Sequence, residues 1–288
     1  MASEPIFPRD RVTIVGVLNL TPDSFSDGGR YVRRGDDGAL DLAAAVRAAH
    51  ALVESGADVI DLGGESTRPG AAEVPAGVEI ERTRPVIEAL TGRIGVPISI
   101  DTRKAEVAAA ALAAGARVVN DVSGLGHEPR LADVAAEGGA TLVLGHMRGV
   151  PETMQRAPHY DDVLREVAAE LEAAVEVAHA AGVPDEHLVV DPGLGFGKRL
   201  EDNLALLAHA GWLRERLGLP VLLGPSRKSF LGALTGDPVE ARELATVAAC
   251  AVAAFAGADA VRVHDPAGAR RAAAVGRAAR DARRKELT

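Results

Sequence analysis

The chain has 288 residues, 47% hydrophobic and 25% charged, which is ordinary for a globular protein whose core needs no disulfide or structural metal. A formal net charge of −9 argues against broad contact with a nucleic-acid backbone, so any anion site has to be local. The single cysteine, Cys250, excludes an internal disulfide and a cysteine-based zinc site, and within ATVAACAVAAF it reads as a small core residue.

The opening MASEPIFPRD carries no basic-then-apolar signal pattern, and no stretch reaches the roughly 18 apolar residues of a membrane span. A cytoplasmic protein without membrane contact is expected, with residues 1–10 a loose end. The first strand is predicted at 12–17 (VTIVGV), followed by a loop TPDSFSDGG at 21–29. A helix in DLAAAVRAAHALVES would set Leu42, Val46, Ala49 and Val53 on one face. Strand two, DVIDLG at 58–63, leads into a second unusual loop, GESTRPGA at 64–71. Both loops mix glycine, proline, hydroxyls and charge, which suits lids rather than tight connections.

Strands three to six are expected at 97–102, 117–122, 140–146 and 187–193. Between the last two, a helical pattern places Val163, Val167, Leu171 and Val175 on one face. GLGFGK at 193–198 lacks the GxxxxGK[ST] spacing of a P-loop, because Pro192 stands where its first glycine would be. Its glycines suggest room for a flat ligand to approach the backbone. Strand seven is expected at 220–226, running into SRKS at 226–229, where two cations and two hydroxyls precede a helix. Strand eight is expected at 260–265, and the basic RRKELT at 283–288 reads as a second loose end. Gly56, Gly115, Gly182 and Gly257 each follow a helical run, where left-handed C-caps would sit.

The strands are short, apolar and mostly unalternating, as expected of parallel strands buried on both faces. Eight β-then-α units in about 270 residues match a single (β/α)₈ TIM barrel, here spanning 11–283 with its active-site loops at the C-terminal face. The competing fold is a doubly wound open sheet. No GxGxxG follows the first strand, and polar residues close nearly every strand rather than one switch point, so the barrel is preferred.

Those strand ends carry Asn19, Asp61, Glu65, Asp101, Asn120, Asp121, His146, Asp191, Lys228, Arg262 and His264. In a barrel they converge on the mouth where active sites are built. Asp61, Glu65, Asp121 and His146 read equally well as structural polar residues, but a whole ring of unpaired charge would be too costly for structure alone.

GVLNLTPDSFSDGG, DLGGESTRPGA, SIDTRK, VNDVSG, GHMRGVPETMQ, DPGLGFGK, PSRKSFLG and RVHD follow one another along the chain. In this order they resemble the dihydropteroate synthase family over nearly the whole sequence. The resemblance implies attack by the amine of 4-aminobenzoate on a dihydropterin methyl diphosphate, assisted by Mg²⁺, and a homodimer. It implies a pterin pocket of Asp101, Asn120, Asp191 and Lys228, with Arg262 stacked on the ring. It implies a diphosphate site of Asn19, Arg262 and His264, with Asn19 also at the metal. Phe25, Thr67, Arg68, Pro69, Phe196 and Ser229 would frame the aminobenzoate. Asp101, Lys228, Arg262 and His264 would then be the catalytic set, the last two neutralising the leaving group and Asp101 the developing cation. Pro225, Pro266 and Asp202 depart from the family pattern, and the two prolines put the placement of Lys228 and His264 in question. Two alternatives share the pterin site. A methyltetrahydrofolate-binding methyltransferase domain would lack the STRPG and SRK loops, and a silent pterin-binding paralogue would have lost Arg68, Lys228 or His264; all are present.

Overall fold

The structure, a computed structural model, describes residues 5–21, 40–68 and 70–286. Most of loop one, with Phe25, and Pro69 of loop two lie outside the described residues. All eight predicted strands form: β1 Thr13–Asn19, β2 Val59–Gly63, β3 Ile98–Asp101, β4 Val118–Asp121, β5 Thr141–Gly145, β6 Leu188–Asp191, β7 Leu222–Leu223 and β8 Ala260–Val263. They pair in parallel in the order β6-β5-β4-β3-β2-β1-β8-β7, and a bridge between Val190 and Val221 joins the two ends into a barrel.

The helices are α1 Leu42–Glu54, α2 Ala76–Leu90, α3 Ala105–Ala114, α4 Leu131–Glu137, α5 Val163–Ala180, α6 Leu200–Ala208, α7 Ala210–Leu217, α8 Ser229–Thr235, α9 Glu243–Ala256 and α10 Pro266–Glu286. Two helices rather than one follow each of β6 and β7. The four glycines expected at helix ends all take positive φ.

Side chains alternate across each strand, and that period of two divides the core. One set faces the helices, as Ile14, Ile60, Ile100, Val119, Leu142, Val190, Leu223 and Val261 do within the main apolar cluster. The other set points into the barrel. At its lower, N-terminal end it is apolar: Val15, Val59, Val118, Val143, Val189, Leu222 and Ala260 form a separate cluster. Two residues further along several strands, the same inward rows carry Asp61, Asn120, Asp191 and Arg262. Polar chemistry is thereby stacked on an apolar floor.

Phe7 completes that floor, 4% exposed, with Ile6 packed against it. The expectation of a loose N-terminal decapeptide is therefore corrected, because closing the barrel's lower end buries an aromatic ring. At the other end α10 runs through to Glu286, so residues 283–286 continue a helix. In α1 the buried face is Ala45 and Ala49, and Leu42 is exposed. In α5, Val167 and Leu171 are buried with Ala168, Ala174 and Ala178, while Val163 and Val175 are half-buried.

Candidate active site

Above the polar layer opens a cavity of about 410 Å³. Every site residue implied by the family resemblance within the described part of the chain lies on its wall, whereas Asp61, Asp121 and His146 do not. Asn19 enters from β1, Thr67 and Arg68 from loop two, and Asp101, Asn120 and Asp191 from β3, β4 and β6. Phe196 comes from the loop after β6, Lys228 and Ser229 from the entry to α8, and Arg262 and His264 from β8 and its end.

Arg262 organises the floor. Its Nε donates to Asp61 Oδ2 at 2.6 Å and its Nη2 to Asp101 Oδ2 at 2.6 Å. Asn120 Nδ2 donates to the same Asp61 oxygen at 3.1 Å, which leaves the amide oxygen of Asn120 to accept from elsewhere. Asp61, fully buried and absent from the cavity wall, positions the two residues that do face it. Burial pushes the Asp101 carboxyl up to about 7, against the pull of Arg262 and with Asp61 adding to the rise. Asp101 Oδ1 has no hydrogen-bond partner among the described residues, so a buried acceptor waits on the wall of the cavity.

Lys228 lies on the same cavity wall, its Nζ 3.9 Å above the centroid of the Phe196 ring. Burial lowers its pKa to about 8, with Asp191 holding it up. Asp191 Oδ1 accepts from Gly193 N–H at 2.7 Å; burial raises this carboxyl, and the Gly193 bond works against the rise. Of the glycines of GLGFGK, Gly195 lies on the cavity wall, and Gly193 and Gly195 are also pressed against protein neighbours. A Cβ on Gly193 would lie 1.9 Å from the His146 carbonyl oxygen, and one on Gly195 would lie 2.8 Å from Lys228 Cδ. With φ of +71° and +80°, both positions require glycine for the turn and for contact with protein.

His264 lies among cations. Burial lowers its pKa to about 3, and the cations Arg227, Arg262, Arg68 and Lys228 push the same way. Ser226 Oγ lies 2.8 Å from its Nδ1 and also accepts from the His264 backbone N–H at 3.3 Å. A serine hydroxyl donating to Nδ1 would place the ring proton on Nε2. A bound anion would offset these cations and raise the pKa of the ring. Ser226 and Arg227 line the cavity as well. Ser226 was visible in SRKS, but its link to His264 spans 38 residues and leaves no local mark.

Pro266 takes the first position of α10, where a missing N–H costs nothing. Asp202 accepts from the Arg199 backbone N–H at 2.9 Å and so caps α6. The carbonyl of Pro225 accepts from Lys228 N–H at 3.3 Å in the turn that presents the lysine.

Asp121 and His146 are structural. Asp121 closes its own loop by accepting from Ser123 and Leu125 N–H groups. His146 Nε2 pairs with Glu170 at 2.9 Å, and Lys198 Nζ donates to His146 Nδ1 and to the Phe196 carbonyl, each at 3.0 Å. Burial, reinforced by Lys198, lowers the His146 pKa to about 4. Between pH 4 and 6.5 the unfolded chain then binds a proton that the folded chain does not, so stability falls as pH drops through this window. His146→Asn should remove that part of the slope, up to about 1.4 kcal/mol per pH unit, in urea unfolding curves at pH 4 to 7. An unchanged slope would mean that His146 carries no linkage.

The model of the pterin binding enzyme family matches residues 15–264. The dihydropteroate synthase of Synechocystis sp. is 46% identical over 256 residues, 88% of this chain and 86% of that protein. The chain belongs to the dihydropteroate synthase family. Among solved members, the crystal structure of Yersinia pestis dihydropteroate synthase with a sulfonamide drug aligns at a TM-score of 0.88 and 41% identity, covering 95% of this chain and 96% of that one. The Xanthomonas albilineans dihydropteroate synthase, solved with 4-aminobenzoic acid, aligns at 0.83 and 46%, covering 94% and 93%. As a dihydropteroate synthase family member, the chain is a transferase with the family's TIM-barrel fold.

Proposed function

We propose that the chain condenses (7,8-dihydropterin-6-yl)methyl diphosphate with 4-aminobenzoate to give 7,8-dihydropteroate and diphosphate, a step of folate biosynthesis. The observation that carries the reading is the gathering of acceptors and a donor on the wall of one cavity: Asp101, Asn120 and Asp191 with Lys228. A pterin presents adjacent N–H donors along one edge and a carbonyl oxygen with a ring nitrogen along another. Asp191 can accept from two donors, Asp101 Oδ1 and the Asn120 amide oxygen can take further ones, and Lys228 can donate to the opposite edge.

The chemistry asks little of a nucleophile, because an arylamine is neutral at pH 7. The carbon–oxygen bond to diphosphate breaks, a carbon–nitrogen bond forms, and the amine gives up a proton. Arg262 and the Nε2–H of His264 receive the departing diphosphate, while Asp101 faces the positive charge left on the pterin methylene. Thr67, Arg68, Phe196 and Ser229 hold the aminobenzoate, a role proposed also for Phe25 and Pro69.

Mg²⁺ belongs to the same proposal. Among the described residues no cluster of three His, Cys, Asp or Glu side chains can cage a metal. Mg²⁺ keeps several waters and prefers substrate phosphates to an all-protein cage, so one amide oxygen from Asn19 on the wall fits that donor set. When bound, the ion would offset charge on the leaving diphosphate.

We also place the protein in the cytoplasm as a homodimer. Its one cysteine is a free buried thiol, and no helix among the described residues is long and apolar enough to cross a membrane. Helices α9 and α10 leave Leu244, Phe255 and Val275 exposed, Leu244 by 84%, which supplies an apolar face for a second copy.

A diphosphate-release assay tests the reaction. Release is expected only when pterin diphosphate, 4-aminobenzoate and Mg²⁺ are all present. Pterin binding without release would point to a silent paralogue.

A further inference from the structure

We propose that Glu65 is the positioning residue of loop two: its buried carboxylate clamps both ends of that loop to the turn after Asp101, and so sets where Thr67 and Arg68 meet the amine. The inference rests on the reading of loop two as the amine's side of the cavity.

Glu65 is the last residue before Ser66, Thr67 and Arg68, and is 8% exposed. Its Oε1 accepts from Arg103 Nη2 at 2.5 Å, and its Oε2 accepts from Lys104 Nζ. The same Oε2 accepts from Val74 N–H at 2.9 Å, so one side chain at the start of the loop holds the backbone at its end. Arg103 and Lys104 follow Asp101 by two and three positions. The seat proposed for the pterin and the loop proposed for the amine therefore share one anchor.

The surroundings fix the anchor further. Lys104 Nζ also donates to Glu79 Oε2 at 2.9 Å on α2, giving two buried cations against two buried carboxylates. Gly64 enters the loop pressed onto α2, where a Cβ would lie 2.8 Å from Glu79 Cγ and from Thr83 Cγ2. Arg82 Nη1 donates to the Gly64 carbonyl at 2.9 Å. Beyond the stem, Gly70 N–H donates to the Pro151 carbonyl at 3.0 Å, on the segment after β5. Thr67 and Arg68 lie between stem and tether, half-buried on the cavity wall.

A buried ion network is a poor source of net stability, because desolvation consumes most of the Coulombic gain. What it supplies here is geometry. Both cations come from one turn and both ends of the loop from one carboxylate, so the stem has a single arrangement. Positioning of this kind governs how often the amine reaches an attack geometry, and small displacements there have large kinetic consequences.

The test uses Glu65→Gln, which keeps shape and loses charge, and Glu65→Asp, which keeps charge and shortens the reach should the first variant fail to fold. The KM for 4-aminobenzoate is expected to rise roughly tenfold or more, with the dissociation constant for pterin diphosphate held within about threefold. Hydrogen exchange is expected to quicken at the Val74 amide and at residues 66–68. An amine KM that does not move, or equal losses for both substrates, overturns the proposal. So does unchanged exchange at Val74, a readout that needs no turnover. A wild-type protein that releases no diphosphate would instead overturn the reaction on which the proposal rests.

Discussion

Arg262→Met should cost about 3–5 kcal/mol of stability, the usual penalty for removing one partner of a buried ion pair. The arginine lies between Asp61, fully buried, and Asp101, so its loss strands two carboxylates rather than one. Turnover should fall as well, by about 10²–10³, the range seen when a donor to a developing anion is removed. A double variant separates the two effects. Adding Asp61→Asn removes one stranded charge and should restore part of the stability without restoring the rate. Urea unfolding midpoints and initial rates at saturating substrate measure both, and full stability in the single variant would mean that Arg262 is not the partner of these carboxylates.

Asp191→Asn should weaken pterin binding by about 2–5 kcal/mol, since an amide cannot accept two hydrogen bonds with both of its terminal atoms. The pH dependence gives a second signature. Asp191 is the main group holding the Lys228 pKa up at about 8. Without it the lysine gives up its proton nearer neutrality, so the variant's residual affinity should decline between pH 6 and 8 more steeply than the wild type's. Calorimetric titration of pterin across that range decides the point. Unchanged affinity would leave Asp191 with only its bond to Gly193.

Most of the architecture could be read from the sequence because parallel strands buried on both faces announce themselves as short β-branched runs, and most runs here are closed by a polar residue at the position that faces inward. The site residues were legible for the same reason. What could not be read was how they bind one another. Arg262 and Asp61 are 201 positions apart, and nothing near either predicts the pair. The protonation of His264 depends on its burial among cations from several loops. In alanine-rich α1 the expected stripe is right at Ala49, but tertiary packing buries Ala45 beside it and leaves Leu42 exposed. In GLGFGK the neighbours that demand glycine, the His146 carbonyl at Gly193 and Lys228 at Gly195, are ones that no local pattern could supply.

The apolar floor under the barrel, closed by Phe7, has a practical meaning for anyone modifying this protein. Seven of the eight strands contribute an apolar residue to that floor, below the layer that carries the site's charges. Substitutions for heat tolerance on that floor touch no residue of the cavity wall, so they are the place to seek stability gains that leave the site's charged side chains in place.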